Sequence, residues 1–226
     1  MFSGTHVAVV VAGAALLAGA TGCGESGGAD GGGSYTTDEL HDALLPEFED
    51  ASRVADQDET GRYAELSAVQ QVDELRQDTE LDKPECLDAT EQWTQLDEVR
   101  NAPSALASYG REGEAITHAL VDVDSATADE VIAIRPPEEC SSYEATDPDG
   151  ATTTYELDEI DVAELEDSFA LEVHAESDEH SVRMYSLVYR GTDHVGMTSV
   201  LGPEASPETL VDFARAAHEH EEQTLG

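Results

Sequence analysis

Apolar residues recur every third position between Arg62 and Asp78, and this spacing predicts a helix. The same spacing continues through the segment PECLDATEQWTQLDEVR, so a second helix is expected to begin at Cys86. Trp93 belongs to the apolar positions of that segment and is expected in the core. An indole that faces a ligand is the alternative for this residue.

Capping signals predict where three helices begin. Thr36 and Glu39 have the capping-box spacing, in which each side chain accepts a backbone N–H of the first turn, and Thr127 begins a second such pattern. Ser206 precedes a proline and an acidic residue, which is typical of a helix N-terminus. The buried stripe of this last helix is predicted to be Leu210, Phe213, Ala214 and Ala217.

Strand patterns occupy the middle and late parts of the chain. Residues 105–124 contain two segments of mixed β character around Gly110 and Gly113, which suggests a hairpin or a bulge. Four strand-like segments then run between residues 152 and 202. The second, SFALEVHAE, alternates cleanly, and the third, SVRMYSLVYRG, is apolar on both faces, as in a central strand covered on both sides. With helices at both ends and no βαβ alternation, the predicted class is α+β, with a central antiparallel β-sheet, flanking helices and one disulfide.

The charge is extreme and dispersed. The chain has 51 acidic and 10 basic residues, a formal net charge of −41, which argues against nucleic acid and anionic lipid headgroups as ligands. Calcium binding, recognition of a basic partner and adaptation to high salt each explain acidity. Because the acids are spread through every predicted element and Lys83 is the single lysine, we favour the solvated surface of a halophilic protein.

The N-terminal segment indicates export. Val7 to Ala20 is apolar and uncharged, small residues precede Cys23, and a Gly/Ser-rich stretch follows it. This arrangement resembles a bacterial lipobox, which implies diacylglycerol transfer to Cys23 and a lipid-anchored protein on the extracellular face of the cell membrane. Residues 1–22 would be the signal peptide, 23–35 the tether and 36–226 one domain. An ordinary signal peptide with a coincidental cysteine is the alternative.

The two remaining cysteines, Cys86 and Cys140, are predicted to form a disulfide, because an even pair in an oxidising compartment pairs in this way. A metal ligand or a nucleophilic thiol would be expected to carry a Cys-x-x-Cys spacing or a suitable flanking motif, and neither is present.

The order of the predicted elements resembles that of a known class of domain. A Cys- and Trp-bearing helix, the segment RPPEECSSY, a strand meander and a terminal helix together resemble the extracellular sensor domains of PknH-type mycobacterial kinases and related actinobacterial lipoproteins. The resemblance spans about residues 36–225, and no kinase segment is present. It implies one α+β domain, a disulfide and a cleft for an unidentified ligand, for which Trp93, Arg183, Tyr185 and Arg190 are the candidate residues. For the two arginines, structural ion pairs are the favoured alternative.

Motifs for catalysis are absent from the sequence: it has no Gly-x-Ser-x-Gly, no Gly-rich phosphate loop and no His-Glu-x-x-His. In HEHEE, His218 and Glu222 would share a helix face, but a third zinc ligand would have to come from elsewhere. We therefore interpret HEHEE as a solvated acidic helix end. The expectation is no enzyme activity, no metal and no cofactor.

Three functional hypotheses follow. The first is a lipid-anchored extracytoplasmic binding or sensor module without catalytic chemistry, for a small or lipidic ligand. The second is an interaction protein of the cell envelope that acts through its acidic surface. The third and weakest is a metal-assisted hydrolase.

Overall fold

The computed structural model describes residues 34–148, 150–163, 165–178 and 180–226. Within these ranges the chain forms five α-helices and ten β-strands. The helices are α1 (Thr37–Ala43), α2 (Ser67–Asp78), α3 (Asp97–Arg100), α4 (Ser125–Ala133) and α5 (Pro207–Leu225). The strands are β1 (Ser52–Arg53), β2 (Glu59–Arg62), β3 (Glu80–Leu81), β4 (Pro103–Arg111), β5 (Glu114–Asp122), β6 (Ser142–Thr146), β7 (Thr152–Ile160), β8 (Ser168–Glu176), β9 (Ser181–Arg190) and β10 (His194–Leu201).

All ten strands join one sheet in the order β1-β4-β5-β10-β9-β8-β7-β6-β3, with β2 also paired to β4. Every pairing is antiparallel. The predicted hairpin is β4–β5, and the predicted meander runs from β7 to β10. The α+β class with a central antiparallel sheet is confirmed.

One face of the sheet is covered by α1 and α5. Phe213 of α5 packs edge-on against Phe48 at 5.0 Å and against Tyr109 of β4 at 5.1 Å between ring centroids. Tyr185, Leu187 and other alternate residues of β9 point into this layer, because successive strand residues face opposite sides of a sheet. This face carries the largest apolar cluster of the protein's described part.

The opposite face is covered by α4 and by the segment that contains Trp93. Trp93 is buried and packs at 5.9 Å from the ring of Tyr63, among Val99, Val131 and Val188. The prediction that Trp93 belongs to the core is confirmed. Because Val188 points here while Leu187 points to the α5 face, β9 is covered on both sides, as its apolar pattern predicted.

The far end of the sheet contains the disulfide. Cys86 and Cys140 are bonded, with their Cα atoms 5.4 Å apart, and both are fully buried. They pack with Tyr143 of β6, Leu157 of β7 and Val173 of β8. The predicted disulfide is confirmed, and it joins the loop after α4 to the segment that precedes Trp93.

Two helix predictions need correction. The helix expected from Arg62 begins at Ser67, and Val72 and Leu75 on its apolar stripe are 40% and 55% exposed. The helix expected from Cys86 is broken into two short 3-10 turns, Pro84–Cys86 and Gln92–Gln95, followed by α3. The physical reason is that Cys86 packs in the disulfide cluster whereas Trp93 packs beneath α4. On a regular helix these residues, seven apart, would share one face.

The cap predictions are partly confirmed. Thr36 and Glu39 form the capping box of α1, and the Ser206 hydroxyl accepts the Thr209 N–H at 3.1 Å at the start of α5. The cap predicted at Thr127 is wrong. Asp124 caps α4 instead, because its carboxylate accepts the Thr127 N–H at 2.8 Å and the helix begins earlier.

The predicted signal peptide, Cys23 and most of the tether lie outside the described residues, so the lipid anchor stays a prediction. Among the helices of the described ranges, none combines the length and the apolar character that a membrane crossing requires.

Candidate functional site

A group of polar side chains is buried in the otherwise apolar layer between the sheet and α5. Its members come from three strands and one helix: His118 of β5, Tyr189 of β9, His194 of β10 and Glu221 of α5. Each is at most 4% exposed. We call these four residues the buried network.

Strand register explains why the three strand members meet. Gly196 is the cross-strand partner of Tyr189, and Thr198 is the partner of His118. Residues directly opposite on paired strands share a face, and so do residues two apart on one strand. His194, two residues before Gly196, therefore lies on the same face as both partners. The face is the one that α5 covers.

The helix member follows from the periodicity of α5. The buried positions of this helix are Leu210, Phe213, Ala214, Ala217 and Glu221. Position 221 continues the stripe four residues after Ala217, so a carboxylate occupies a core position of an amphipathic helix. The interpretation of HEHEE as a solvated helix end is therefore wrong for Glu221, which is 1% exposed.

Glu221 is the acceptor at the centre of the network. Its Oε1 accepts hydrogen bonds from Tyr189 Oη and from His118 Nε2 at 3.1 Å, and its Oε2 accepts one from His194 Nε2 at 3.0 Å. Burial alone would raise the pKa of this carboxyl, but the hydrogen bonds and attraction of His118 and His194 outweigh burial and lower the pKa to about 2. Glu221 is therefore an ionised carboxylate in the core.

The ionised carboxylate fixes the proton positions around it. Burial, and next the charge of Glu221, raises the pKa of Tyr189 well above its usual value, so the phenol stays protonated and donates. Since a carboxylate only accepts, we assign the Nε2 proton to both histidines. Both Nδ1 atoms are buried and lack a hydrogen-bond partner within the described part of the chain.

Two glycines leave the space that the network needs. A Cβ on Gly196 would lie 2.2 Å from the Tyr189 ring, so this glycine allows the tyrosine to cross β10 toward Glu221. A Cβ on Gly191 would lie 2.1 Å from the His194 imidazole. Both positions exclude a side chain by close approach.

The network opens on one side into a cavity of about 260 Å³ at the turn between β9 and β10. His194 and Glu221 are its buried lining residues, and Tyr35, Asp167, His218 and Glu222 are among its more exposed ones. The Tyr35 ring contacts His194 edge-on at 6.0 Å, and His218 contacts Tyr189 at 5.6 Å. The cavity is thus polar and partly aromatic, with one wall made by the buried network.

Asp122 holds Tyr35 beside this cavity. Its Oδ1 accepts the backbone N–H groups of Ser34 at 2.9 Å and of Tyr35 at 3.1 Å. Burial raises the pKa of the Asp122 carboxyl, and these two backbone bonds partly offset that effect. These two bonds hold Ser34 and Tyr35 beside the cavity. Asp122 is also the cross-strand partner of His194.

The four residues proposed from sequence for a ligand cleft do not come together. Trp93 and Arg190 belong to the α4 side of the sheet, where Arg190 pairs with Asp129. Arg183 and Tyr185 lie on the other side, with Arg183 paired to Glu172 at the rim and Tyr185 buried in the core. Structural ion pairing of both arginines is confirmed. Of the four residues, Arg190 also lines the cavity.

The sequence reasoning on HEHEE identified part of the site. His218 and Glu222 do share a helix face, and both line the cavity. Within the described ranges, no group of three or more His, Cys, Asp or Glu side chains is arranged to hold a metal ion. The sequence reasoning missed the buried network itself. The one signal for it was the stripe of α5, which reaches Glu221 by a spacing of four.

A second surface feature is apolar. Val72 and Leu75 of α2 and Leu87 are exposed and line one groove with Tyr143 and Tyr155, whose rings stack at 5.1 Å. We call this the α2 groove. It lies at the disulfide end of the sheet, away from the buried network.

Comparison with known proteins gives structural matches alone. No protein-family model matches the chain, and no curated protein matches it. It is similar to the extracellular domain of PknH from Mycobacterium tuberculosis, with 9% identity, a TM-score of 0.44, and coverage of 65% of this chain and 77% of that one. It is also similar to a putative uncharacterized protein, an Rv0999 ortholog, from Mycobacterium smegmatis, with 16% identity, a TM-score of 0.49, and coverage of 81% and 94%. The resemblance to PknH-type domains seen in the sequence is therefore found again among solved structures. At these scores the likeness carries no inference about function.

Proposed function

We propose that the protein is an extracytoplasmic binding module of the sensor type, which takes a small ligand into the cavity beside His194 and performs no chemistry on it. The observation that carries this proposal is the wall of the cavity, where a buried ionised carboxylate is held by three donors. Such a preorganised polar wall beside partly aromatic lining suits recognition of a small molecule. Each Nε2 proton is committed to Glu221, which favours a fixed binding surface over proton transfer.

The compartment is supported by the disulfide, since such bonds persist in oxidising environments outside the cytoplasm. The lipid anchor at Cys23 remains part of the proposal. The chain enters the described domain at Ser34, next to the cavity. Eleven residue steps separate positions 23 and 34, which span roughly 40 Å at most when fully extended. A protein anchored at Cys23 would carry the cavity near the membrane surface.

The test is retention of a ligand that depends on the cavity. Native mass spectrometry of gently purified protein, before and after incubation with cell-envelope extracts, measures any non-covalent adduct. We expect an adduct on the wild type and its loss in Thr192→Trp, because Thr192 is an exposed lining residue and the indole would fill the cavity. Thr152→Trp, on an exposed position of β7, is the matched control and should keep the adduct. An adduct equally present in both variants, or absent from the wild type with every extract, would refute the proposal.

A second candidate is an interaction protein of the cell envelope. The α2 groove favours it, because three of the four exposed large apolar side chains in the described ranges lie there, on an otherwise acidic surface. Site-specific cross-linking in cells tests it: Leu75→Glu should abolish a stoichiometric cross-linked partner. Gln70→Glu adds the same charge on an exposed position of α2 and should not. Equal cross-linking in both variants would exclude the groove as an interface.

A further inference from the structure

The first two described residues, Ser34 and Tyr35, lie beside the cavity, and we call them the entry strap. Tyr35 lines the cavity, and its ring meets the His194 imidazole edge-on at 6.0 Å between ring centroids. Tyr35 also packs, partly buried, against the largest apolar cluster, whereas Ser34 is exposed. The tyrosine ring therefore covers part of the cavity wall that His194 forms.

Three hydrogen bonds fasten the entry strap to distant parts of the chain. Asp122 Oδ1 accepts the backbone N–H of Ser34 at 2.9 Å and that of Tyr35 at 3.1 Å. The Ser34 hydroxyl donates to Asp193 Oδ2 at 3.1 Å, in the turn between β9 and β10. Asp122 is 3% exposed, and within the described residues the strap supplies every hydrogen bond that its carboxylate accepts. Because a buried carboxylate without donors is costly, closure of the strap is favourable.

The helix that follows the strap is held independently of it. Thr36 is the N-cap of α1 in an extended conformation, and the capping box that it forms with Glu39 satisfies the first turn. Leu40 and Ala43 anchor α1 in the core, where both are fully buried. Since neither the cap nor the anchors of α1 belong to the strap, the strap can leave Asp122 while α1 stays in place. Thr36 is the hinge of that movement.

The strap also has the features of a segment that opens locally. Regions with few buried apolar side chains open at a lower free energy than the core does. Within the strap, one side chain is partly buried and the other is exposed, so its hydrogen bonds are the main force that holds it.

We propose that the entry strap is the gate of the cavity, which closes over His194 when Asp122 and Asp193 hold it and swings about Thr36 to admit a ligand. Ligand entry rests on the proposed function, namely that the cavity is the ligand site. The opening itself is a property of the folded chain and is measured without any ligand. Failure of the gate and failure of the ligand site are therefore separate results.

Amide hydrogen exchange, resolved by residue with NMR, measures the opening. The Tyr35 N–H should exchange about a hundredfold more slowly than in an unstructured peptide, roughly tenfold for each bond from the strap to the Asp122 carboxylate. The Leu44 N–H, bonded to Leu40 at the end of α1, should exchange far more slowly still. Asp122→Ala should remove the protection of Tyr35. Asp38→Ala, which removes a carboxylate from an exposed position of α1, is the matched control and should leave it unchanged.

Access to the cavity is measured by the relaxation of histidine ring protons in the presence of a neutral gadolinium chelate. Tyr35→Ala keeps the backbone bonds of the strap and removes the ring, so it should speed the relaxation of His194 and leave the protection of the Tyr35 position intact. Asp122→Ala should speed the relaxation of His194 as well. His118 is fully buried and does not line the cavity, so it is the internal reference and should not change.

Ser34→Pro tests the gate without touching the core, because the change lies at an exposed position and removes an N–H donor and a hydroxyl from the strap. It should raise the exchange rate of the Tyr35 N–H about tenfold. An unchanged rate would overturn the inference even if Asp122→Ala does not fold.

Three other results would overturn the gate. A Tyr35 N–H that exchanges as slowly as that of Leu44 would mean that the strap opens only when the domain unfolds, and one that exchanges at the peptide rate would mean that nothing fastens it. Equal relaxation of His118 and His194 in Tyr35→Ala, or no change at His194, would mean that the ring does not cover the cavity. A gate that behaves as expected in a protein that retains no ligand would refute the proposed function alone.

Discussion

Two regions of the sheet are stabilised in different ways. Around the buried network, on the central strands β5, β10 and β9, α1 and α5 cover the sheet with a cluster of twenty-one buried apolar residues within the described ranges. At the end formed by β3, β6 and β7, the corresponding cluster has six buried residues, two of which are Cys86 and Cys140. A small cluster buries little apolar surface, and a covalent link compensates for it. Beside the larger cluster, the buried carboxylate of Glu221 is tolerated because three donors satisfy it.

The polar cavity and the α2 groove differ in the packing of the region that each one borders. The polar cavity borders the well-packed central region, where His194 and Glu221 have defined positions, as a selective binding site requires. The α2 groove borders the weakly packed end, where apolar side chains remain exposed. Preorganised recognition is therefore expected in the central region, and local opening is expected at the disulfide end.

The largest effect should come from removing the disulfide. Cys86→Ala/Cys140→Ala opens a loop with a sequence separation of 54 residues, for which chain entropy gives a loss of about 4 kcal/mol in the free energy of unfolding. Urea denaturation measures the loss, and hydrogen exchange should show that β3, β6 and β7 open first. Reduction of the wild type should reproduce the effect. A loss confined to below ~1 kcal/mol would contradict the view that this end depends on the covalent link.

The second effect concerns the pH dependence that Glu221 confers. The pKa of this carboxyl is about 2 in the folded protein and 4.5 as its ordinary value, so its contribution to stability is present above about pH 4.5 and is lost as the pH falls toward 2. Relative to Glu221→Gln, the wild type should lose about 3 kcal/mol over this interval. Urea midpoints from pH 2 to 7 measure the difference between the two proteins, which cancels the titration of the other acidic residues. Parallel curves would show that Glu221 is not held as an ionised carboxylate.

The third effect tests the space beside the network. Gly196→Ala places a methyl group 2.2 Å from the Tyr189 ring, so the ring must move and weaken its bond to Glu221, at a cost of about 1–3 kcal/mol. Gly110→Ala is the matched control in β4, because its Cβ would meet only Val54 at 4.0 Å. Thermal unfolding should show a clear loss for the first variant and little change for the second. Similar melting curves would exclude close approach as the role of Gly196.

The smallest effect should come from the surface ion pair at the cavity rim. Asp129→Asn removes the partner of Arg190, and exposed pairs contribute about 0–1 kcal/mol. The urea midpoint should match that of Glu130→Gln, an exposed neighbour on α4, within error. A loss above about 1 kcal/mol in the free energy of unfolding of Asp129→Asn would contradict the view that this pair is an ordinary surface ion pair.

Local patterns in the sequence predicted much of the fold. Alternation predicted β8, a segment apolar on both faces predicted the doubly covered β9, and cap signals placed the starts of α1 and α5. Alternation, capping and turn chemistry act within a few residues, so they are readable without knowledge of the rest of the chain. The disulfide was predictable because only two cysteines remained once Cys23 was assigned to the lipobox.

The candidate site was less predictable. Trp93, Arg183, Tyr185 and Arg190 were grouped by residue type, but register alternation sends them to two sides of the sheet. The break near Cys86 was also missed, because the choice between one helix and two turns depends on which distant cluster each residue joins. The sequence by itself determined the class of fold, the pairing of the thiols and the strongly acidic character. Only the tertiary structure decided that Glu221, His118, His194 and Tyr189 meet, because hydrogen bonds between residues up to 103 positions apart follow strand order and helix docking, which no local pattern encodes.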